Sequence, residues 1–381
     1  MMKLIKNVEV YAPEALGKKD LLIGGGVILQ VADRIKLQLE GIEEIDGQGK
    51  FAVPGFIDPH VHITGGGGEG GMRTRVPEIM LSELIGNGIT TVVGMLGTDS
   101  VTRNVESLIA KAKALNEEGV TAYVLTGSYE YPSPTITGSV KRDISFIDEV
   151  IGVKIAISDH RDSRVTKQEF ARLVADVRTA SMIGGKAGLV TIHMGNGKEA
   201  LDPIVQLLQE TDIPAKHLLP THINRNPQLL KEGLNFARKG GNIDLSASKN
   251  PRTSPAAIIA DLEEEFPFER ITFSSDGNGS TSKYDEEGNC IAISAMSVDT
   301  IPFQVKSMVN DHGLDLEKAV RFATENPAKR LGLYPKKGSL KVGSDADLLL
   351  LDQNCEIDSV IAKGICVVRK GKILVKGTYE S

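Results

Sequence analysis

The sequence predicts an α/β protein: a (β/α)8 TIM barrel with a small β-sandwich domain formed from both chain termini. Two observations carry this prediction. Short apolar runs recur along the middle of the 381-residue chain and alternate with segments of helical periodicity, which is the pattern of a closed parallel barrel. Both ends contain strand-like runs that are separated by glycine turns, which is typical of an antiparallel β domain.

The terminal segments are the first element to justify. Residues 1–50 contain LIKNVEVYAP and DLLIGGGVILQVAD, and residues 337–381 contain GSLKVGSDADLLLLD and VIAKGICVVRKGKILVKG. These runs are rich in β-branched residues, so we expect the two segments to form one β-sandwich domain together. The barrel, residues 51–336, is then inserted between its two halves.

The middle of the chain contains eight apolar runs, which we interpret as strands buried on both faces. They are residues 51–58, 88–95, 121–128, 151–158, 188–195, 216–223, 241–248 and 271–278. The clearest helix between them is 100–119, which Ser100 can cap and Gly119 can end. A doubly wound open sheet is the alternative; it is disfavoured because no GxGxxG follows the first strand and such a sheet has nearer six strands.

Composition excludes several classes of function. With 44 basic and 50 acidic residues, the net charge of −6 argues against a nucleic-acid partner. Cys290, Cys355 and Cys366 form no CxxC pair, so neither a zinc knuckle nor a disulfide framework is indicated. No run approaches the length of a membrane span and no secretory signal follows MMKLIKNVEV. We therefore expect a cytoplasmic protein without membrane or nucleic-acid partners.

Side chains that can bind a metal lie at the ends of several predicted strands. His60 and His62 close the first run, and their spacing places both imidazoles on one side of an extended strand. Strands four, five, six and eight offer four further candidates: Lys154, His193, His222 and Asp276. Because catalytic groups of such barrels lie at the carboxyl ends of the strands, the joint pattern favours a metal site.

Each candidate taken alone has a simpler interpretation. A lone strand-end histidine is more often structural, Lys154 could pair with a buried carboxylate, and Asp276 could cap the next helix. His160 is placed at most beside the ligands, and we interpret His217 and His312 as structural. The glycine run at 65–71 lacks the Lys-Ser/Thr of a P-loop, so a flexible loop beside the site is favoured over a phosphate cradle.

Lys154 stands inside an apolar strand, where burial depresses the pKa of an amine and leaves it neutral and nucleophilic. Such an amine can react with CO₂ to give a carbamate, whose two oxygens can bridge two metals. Arg161 and Arg225 follow strands four and six and could bind carboxylates through forked donors. A solvated loop charge or a surface ion pair is the alternative for either arginine.

These residues carry a family resemblance. VPGFIDPHVH, together with Lys154, His193, His222 and Asp276, resembles the amidohydrolase superfamily, and so does the terminal stretch GSLKVGSDADLLLLD. The resemblance therefore covers nearly the whole chain. Within the superfamily, HITGGGGEGG, GTDS, PSPTITGSV, GVKIAISDHRDS, PTHINRN and SSDGNGS are similar to the isoaspartyl dipeptidase family.

This resemblance implies a binuclear metallo-dipeptidase that hydrolyses β-aspartyl dipeptides by attack of a metal-bridging hydroxide. His60 and His62 would bind one zinc ion with Asp276, His193 and His222 would bind the second, and carboxylated Lys154 would bridge them. Asp276 would transfer the proton, and Tyr129 would donate a hydrogen bond to the carbonyl oxygen. The resemblance also implies a homo-oligomer, an octamer being one assembly that it suggests.

The same resemblance implies the substrate contacts. Glu69 would bind the substrate ammonium, and Arg161 and Arg225 would bind its two carboxylates. Three further residues would add polar contacts: Gly67, Thr98 and Ser280. Two alternatives stay open, namely a cyclic-amide hydrolase of the hydantoinase or dihydroorotase type and a non-catalytic scaffold. The scaffold is disfavoured because all six ligand positions are filled.

Overall fold

The computed structural model describes residues 2–37 and 40–380. The strands, in chain order, are β1 Lys3–Tyr11, β2 Ala15–Gly24, β3 Val27–Ala32, β4 Glu43–Asp46, β5 Phe51–Pro54, β6 Phe56–Val61, β7 Ile89–Gly94, β8 Thr121–Gly127, β9 Val150–Ile157, β10 Leu189–Met194, β11 Leu218–Thr221, β12 Ile243–Ser246, β13 Ile271–Ser274, β14 Ser280–Tyr284, β15 Cys290–Ala295, β16 Leu348–Leu351, β17 Ile357–Ala362, β18 Ile365–Arg369 and β19 Lys372–Ile373.

The α-helices, also in chain order, are α1 Leu81–Gly86, α2 Val105–Glu118, α3 Val140–Phe146, α4 Lys167–Gly184, α5 Asp202–Glu210, α6 Pro227–Arg238, α7 Pro255–Ala260, α8 Thr300–Asn310, α9 Leu316–Arg321 and α10 Glu325–Arg330. No helix in the described part of the chain combines the length and apolar character that crossing a bilayer requires.

Both chain termini contribute to one β-rich domain. Its strands are hydrogen-bonded in a single nine-stranded sheet of order β19-β18-β17-β16-β5-β1-β2-β3, with β4 paired to β1. The two halves meet where β16 runs antiparallel to β5, with Leu349 opposite Val53. An apolar core that includes Val10, Ala52 and Leu350 joins the two halves further. The predicted terminal β domain is therefore present, as one continuous sheet.

The first predicted barrel strand, residues 51–58, is in fact two strands that belong to different domains. β5 pairs in the terminal sheet, whereas β6 is the first strand of the barrel. The change occurs at Gly55, whose N–H donates to the Asp347 carbonyl (2.8 Å). A Cβ at position 55 would overlap Thr90, so the close crossing requires glycine. The terminal domain thus extends beyond the boundary predicted at residue 51.

The barrel consists of eight parallel strands, and each of the eight predicted runs contains or overlaps one of them. β6 to β11 form one ladder and β12 pairs with β13. The ring closes between β6 and the end of β13, where His62 N donates to Gly277 O (2.8 Å). Between β11 and β12, the Thr221 hydroxyl donates to Asp244 (2.8 Å). β9 is buried along its whole length, as a central parallel strand should be.

The helix predicted at 100–119 is shorter at its amino end than expected. α2 begins after Asn104, whose Oδ1 accepts from Ser107 N (2.8 Å), and ends at Gly119 in the left-handed region. Ser100 is therefore not the cap. Asp99 accepts hydrogen bonds from the backbone of Val101 (3.1 Å) and Thr102 (2.8 Å), and this turn keeps the preceding residues out of the helix.

Candidate metal centre and substrate cavity

The structure brings all six predicted metal ligands together at the carboxyl ends of the barrel strands. The imidazole centroids of His60 and His62 are 5.4 Å apart, those of His60 and His222 5.2 Å, and those of His193 and His222 4.6 Å. Asp276 Oδ1 lies 3.3 Å from His60 Nε2 and 3.1 Å from His62 Nε2. Five separate strands therefore converge on one cluster.

Two of these residues adopt left-handed backbone conformations at the strand ends. His222 has φ 64° and Asp276 has φ 54°. For non-glycine residues such conformations cost about 1–3 kcal/mol and persist where the surroundings enforce them, commonly at functional sites. Asp276 is followed by the hairpin strand β14 rather than by a helix, so the interpretation of Asp276 as a helix cap is wrong.

Lys154 lies beneath the histidines, and the structure excludes a salt-bridge role for it. Its side chain is fully buried, and its Nζ lies 3.2 Å from His60 Nε2 and 3.4 Å from Met95 Sδ. No carboxylate in the described residues lies within ion-pair distance of this Nζ. Burial lowers the pKa of Lys154 to about 7, so a large fraction of the amine is neutral near pH 7.

The cluster has the chemistry of a cation site. Burial lowers the pKa of His60, His193 and His222 well below the usual range, so these imidazoles are neutral and keep a free lone pair. Ligand atoms of His60, His62 and Asp276 lie within 4.8 Å of one another, and His62 Nδ1 is buried without a hydrogen-bond partner. Neutral imidazoles with a carboxylate are the ligands that zinc and similar ions prefer. The residues present therefore fit a bound metal.

A cavity of about 270 Å³ opens directly above this cluster. Its wall includes His62, His193, His222 and Asp276, whereas His60 and Lys154 lie behind that wall. The cavity also collects every residue predicted to contact a substrate: Gly67, Glu69, Thr98, Tyr129, Arg161, Arg225 and Ser280. The loop containing Gly67 therefore lies beside the site, as expected.

The charged groups of the cavity are held in place by one another. Glu69 accepts from Ser280 Oγ (2.8 Å), from Thr98 Oγ1 (3.3 Å) and from Arg161 Nη1 (3.3 Å). Arg161 is largely buried and is not the solvated loop charge considered as its alternative. Arg225 lines the cavity, and no carboxylate within the described ranges lies at ion-pair distance from it. Arg225 is thus an exposed residue at the wall of the cavity, which also agrees with the alternative of a solvated loop charge.

Tyr129 joins the metal cluster to the cavity. Its hydroxyl lies 2.6 Å from His193 Nδ1, and its ring lies 5.2 Å from the Arg161 Cζ. Burial raises the pKa of Tyr129 above its ordinary value. The phenol therefore stays protonated and can donate a hydrogen bond to a group that develops negative charge.

Two buried aspartates of this region were missed from the sequence. Asp159 bonds both His193 and Arg161; burial alone would raise its pKa, but these hydrogen bonds hold it well below the usual range. Asp244 accepts from Thr221, Thr272 and Ser274, and burial raises its pKa. An aspartate inside the apolar run 241–248 was the available signal for Asp244, whereas Asp159 follows the run 151–158 among other polar residues and gave none.

The remaining histidines lie outside the ligand cluster. The His160 side chain is 60% exposed and its ring packs edge-on against Tyr284, outside the ligand cluster. His217 Nδ1 lies 2.8 Å from the Gly188 carbonyl, which is a structural contact. His312 is exposed.

The sequence and the fold were compared with those of known proteins. The sequence model of the amidohydrolase family matches residues 51–373. The fold superimposes with a TM-score of 0.93 on a β-aspartyl dipeptidase of Fervidobacterium islandicum AW-1 solved in complex with β-Asp-Leu, at 44% identity over 98% of both chains. An L-hydantoinase of Paenarthrobacter aurescens is 24% identical over 92% of this chain and 85% of its own. A D-hydantoinase from a Thermus species shares the fold, with a TM-score of 0.69 and 19% identity over 100% of this chain and 98% of its own.

Proposed function

We propose that this chain, which belongs to the amidohydrolase family, is a binuclear zinc dipeptidase that hydrolyses the isopeptide bond of β-aspartyl dipeptides. Two observations carry the proposal. The 44% identity to a β-aspartyl dipeptidase extends over 98% of both chains, and every residue that the resemblance assigned to the substrate lines one cavity.

The charges of the cavity match those of the proposed substrate. A β-aspartyl dipeptide carries one ammonium and two carboxylates. Glu69 is suited to the ammonium, and Arg161 and Arg225 are suited to the carboxylates because a guanidinium binds a carboxylate through two parallel N–H groups. A cavity of about 270 Å³ is of a size that suits a small ligand such as a dipeptide.

The six clustered side chains would hold the two metals. His60 and His62 would bind one with Asp276, and His193 and His222 would bind the other. The neutral amine of Lys154 supports a carbamate formed from CO₂, whose two oxygens would join the two sites. When bound, such a metal pair lowers the pKa of a water molecule and polarises the scissile carbonyl.

Hydrolysis adds water across the C–N bond, so one water proton must reach the leaving nitrogen. Asp276 lines the cavity beside His62, and we assign to its carboxylate the acceptance of that proton and its delivery to the amine. Tyr129 would turn its O–H from His193 to the carbonyl oxygen as that oxygen gains negative charge. The C–N bond then breaks, giving aspartate and a free amino acid.

The test compares two isomers on the same protein. Purified protein of measured zinc content is assayed with β-Asp-Leu and α-Asp-Leu, and a parallel preparation of Asp276→Asn serves as the background control. We expect turnover of the β-linked dipeptide alone. No turnover of it at full zinc occupancy contradicts the proposal, and turnover of dihydropyrimidine or dihydroorotate instead would assign a cyclic-amide hydrolase.

We also propose that the protein is a cytoplasmic homo-oligomer. Its three cysteines are free thiols, which suits a reducing compartment. Phe146 at the end of α3 and the adjacent Met182 and Ile183 at the end of α4 are each about 70% exposed, and exposed apolar groups of this kind favour association. Light scattering on the eluted protein measures the assembly, and a monomer would contradict it.

A further inference from the structure

We propose that Asp159 is a positioning residue that holds a metal-binding histidine and a substrate-binding arginine in one alignment. The two groups are His193 and Arg161. The inference rests on the proposed function, because it assigns to Asp159 a role in that same site. It goes further by naming the group that couples the metal centre to substrate recognition.

The Asp159 carboxylate is placed between the two groups and uses both of its oxygens. Oδ2 lies 3.0 Å from His193 Nε2, while Arg161 donates from Nε to Oδ1 (2.9 Å) and from Nη2 to Oδ2 (3.1 Å). The Asp159 side chain is 3% exposed. Gly195, just after β10, provides the necessary space, because a Cβ there would overlap the Asp159 side chain.

On the metal side, Asp159 selects the tautomer of His193. An ionised carboxylate can only accept hydrogen bonds, and Asp159 Oδ2 at 3.0 Å is closer to Nε2 than the Arg161 Nη2 donor at 3.4 Å, so the single N–H of a neutral imidazole faces the carboxylate at Nε2. Nδ1 is then left with its lone pair, which the Tyr129 hydroxyl contacts at 2.6 Å. Nδ1 is therefore the atom available to a metal. Carboxylates that orient a ligand histidine in this way strengthen metal binding.

On the substrate side, Asp159 decides which edge of the guanidinium faces the cavity. With Nε and Nη2 engaged, Arg161 directs Nη1 towards Glu69 (3.3 Å) and Thr98 (3.4 Å). The Tyr129 ring, 5.2 Å from Cζ, packs against one face of the guanidinium. An Arg161 without Asp159 would lose this orientation, and the substrate carboxylate would meet a mobile side chain.

If Asp159 only shaped the loop, an uncharged side chain of the same size with the same acceptor could replace it. Oδ1 also accepts from the Arg161 backbone N–H (2.8 Å), a turn that shapes the loop after β9. Asparagine retains that acceptor and the size of the side chain, but it carries no charge. Asp159→Asn therefore separates the electrostatic role from the loop turn.

The experiment uses the full-length Asp159→Asn protein and measures zinc binding and kinetics separately. Zinc affinity, measured by chelator competition without substrate, should fall about 10–100-fold. KM for β-Asp-Leu, measured at saturating zinc, should rise about tenfold, because a charged hydrogen bond is lost. In an Arg161→Met background, Asp159→Asn should leave KM unchanged and still weaken zinc binding.

Asp162→Asn is the matched control. Asp162 lies in the same loop and accepts from the backbone N–H of Asp159 (3.0 Å) and of Arg164 (3.0 Å), but its carboxylate bonds neither the His193 ring nor the Arg161 guanidinium. Zinc affinity and KM of this variant should stay within twofold of wild type. Equal zinc affinity in Asp159→Asn and Asp162→Asn, together with an unchanged KM, would overturn the inference.

A second measurement needs no variant. In metal-free wild-type protein labelled with ¹⁵N-histidine, His193 should carry its proton on Nε2, and a proton on Nδ1 would overturn the inference even if Asp159→Asn fails to fold. The zinc and tautomer measurements also use no dipeptide. If wild type did not cleave β-Asp-Leu, the proposed function would fail while the role of Asp159 at the metal centre would still be decided.

Discussion

Replacing Lys154 by methionine should stabilise the metal-free protein near neutral pH while abolishing its activity. The Lys154 amine is fully buried beside His60 and Met95, neither of which is an anion. Protonating the amine in this buried environment costs free energy. The solvated lysine of the unfolded chain does not bear that cost. Methionine is also unbranched and of similar length, so it fills the same space without a charge.

The magnitude follows from the two pKa values. The pKa of Lys154 is 10.5 for the ordinary amine and about 7 in the folded protein. Between these values, unfolding takes up a proton, so stability rises with pH; below 7 the amine is protonated in both states and the whole penalty remains. At 1.36 kcal/mol per pKa unit, the penalty is about 4 kcal/mol at pH 7, about 2 kcal/mol at pH 9 and near zero above pH 10.5.

The assay is urea unfolding of metal-stripped wild type and Lys154→Met in CO₂-free buffer at pH 7 and pH 9. We expect the variant to unfold at the higher urea concentration, with a larger difference at pH 7 than at pH 9. Equal midpoints, or a difference that does not change with pH, would refute the reasoning, since either result means that the amine is not in a dry environment.

Lys337→Met is the control with the opposite sign. Lys337 is also buried, but its amine bonds Asp347, Asp345 (2.9 Å) and Thr121 (2.7 Å). Burial lowers the pKa of Lys337, yet the two carboxylates outweigh it and the net shift is upward. Removing the amine leaves two carboxylates unpaired, so we expect a loss of about 3–5 kcal/mol. Replacing lysine by methionine should therefore stabilise the folded protein at position 154 and destabilise it at position 337.

Three further predictions concern the reaction. Lys154→Ala should lose more activity than the ~10–100-fold that removal of an outer partner costs a metal site, and short carboxylic acids should restore part of it; unchanged activity would remove Lys154 from the site. Asp276→Asn should retain much of its metal, measured by metal analysis, while kcat falls about 10²–10⁴-fold; a near-normal kcat would contradict the proton-transfer role. Tyr129→Phe should lower kcat about 10²–10³-fold with little change in KM, and steady-state kinetics showing the reverse pattern would make Tyr129 a binding group only.

Much of the fold was predictable because its information is local. The eight barrel strands are apolar on both faces, so each appears as a continuous run, and all eight runs correspond to strands. Where the local pattern was ambiguous, the predicted ends of strands and helices differ from those in the structure. The run 51–58 reads as one strand, yet Gly55 divides it between two sheets, and Asn104 rather than Ser100 begins α2.

The candidate ligands were also visible in the sequence, because His-x-His and a lysine inside an apolar strand are unusual at any position. Asp159 was not visible, because it is one more polar residue among Ser158, His160 and Arg161. Only the position of His193, on the neighbouring strand β10, gives Asp159 its partner.

The sequence by itself determined the order of elements, the types of residue at the strand ends and the family to which they point, since periodicity and motif spacing are properties of short segments. The tertiary structure alone decided that Lys154 has no carboxylate within ion-pair distance among the described residues and that Asp159 lies between His193 and Arg161. Those facts depend on distances between strands that are far apart in the chain. Such distances are set by closure of the barrel, and no local pattern records them.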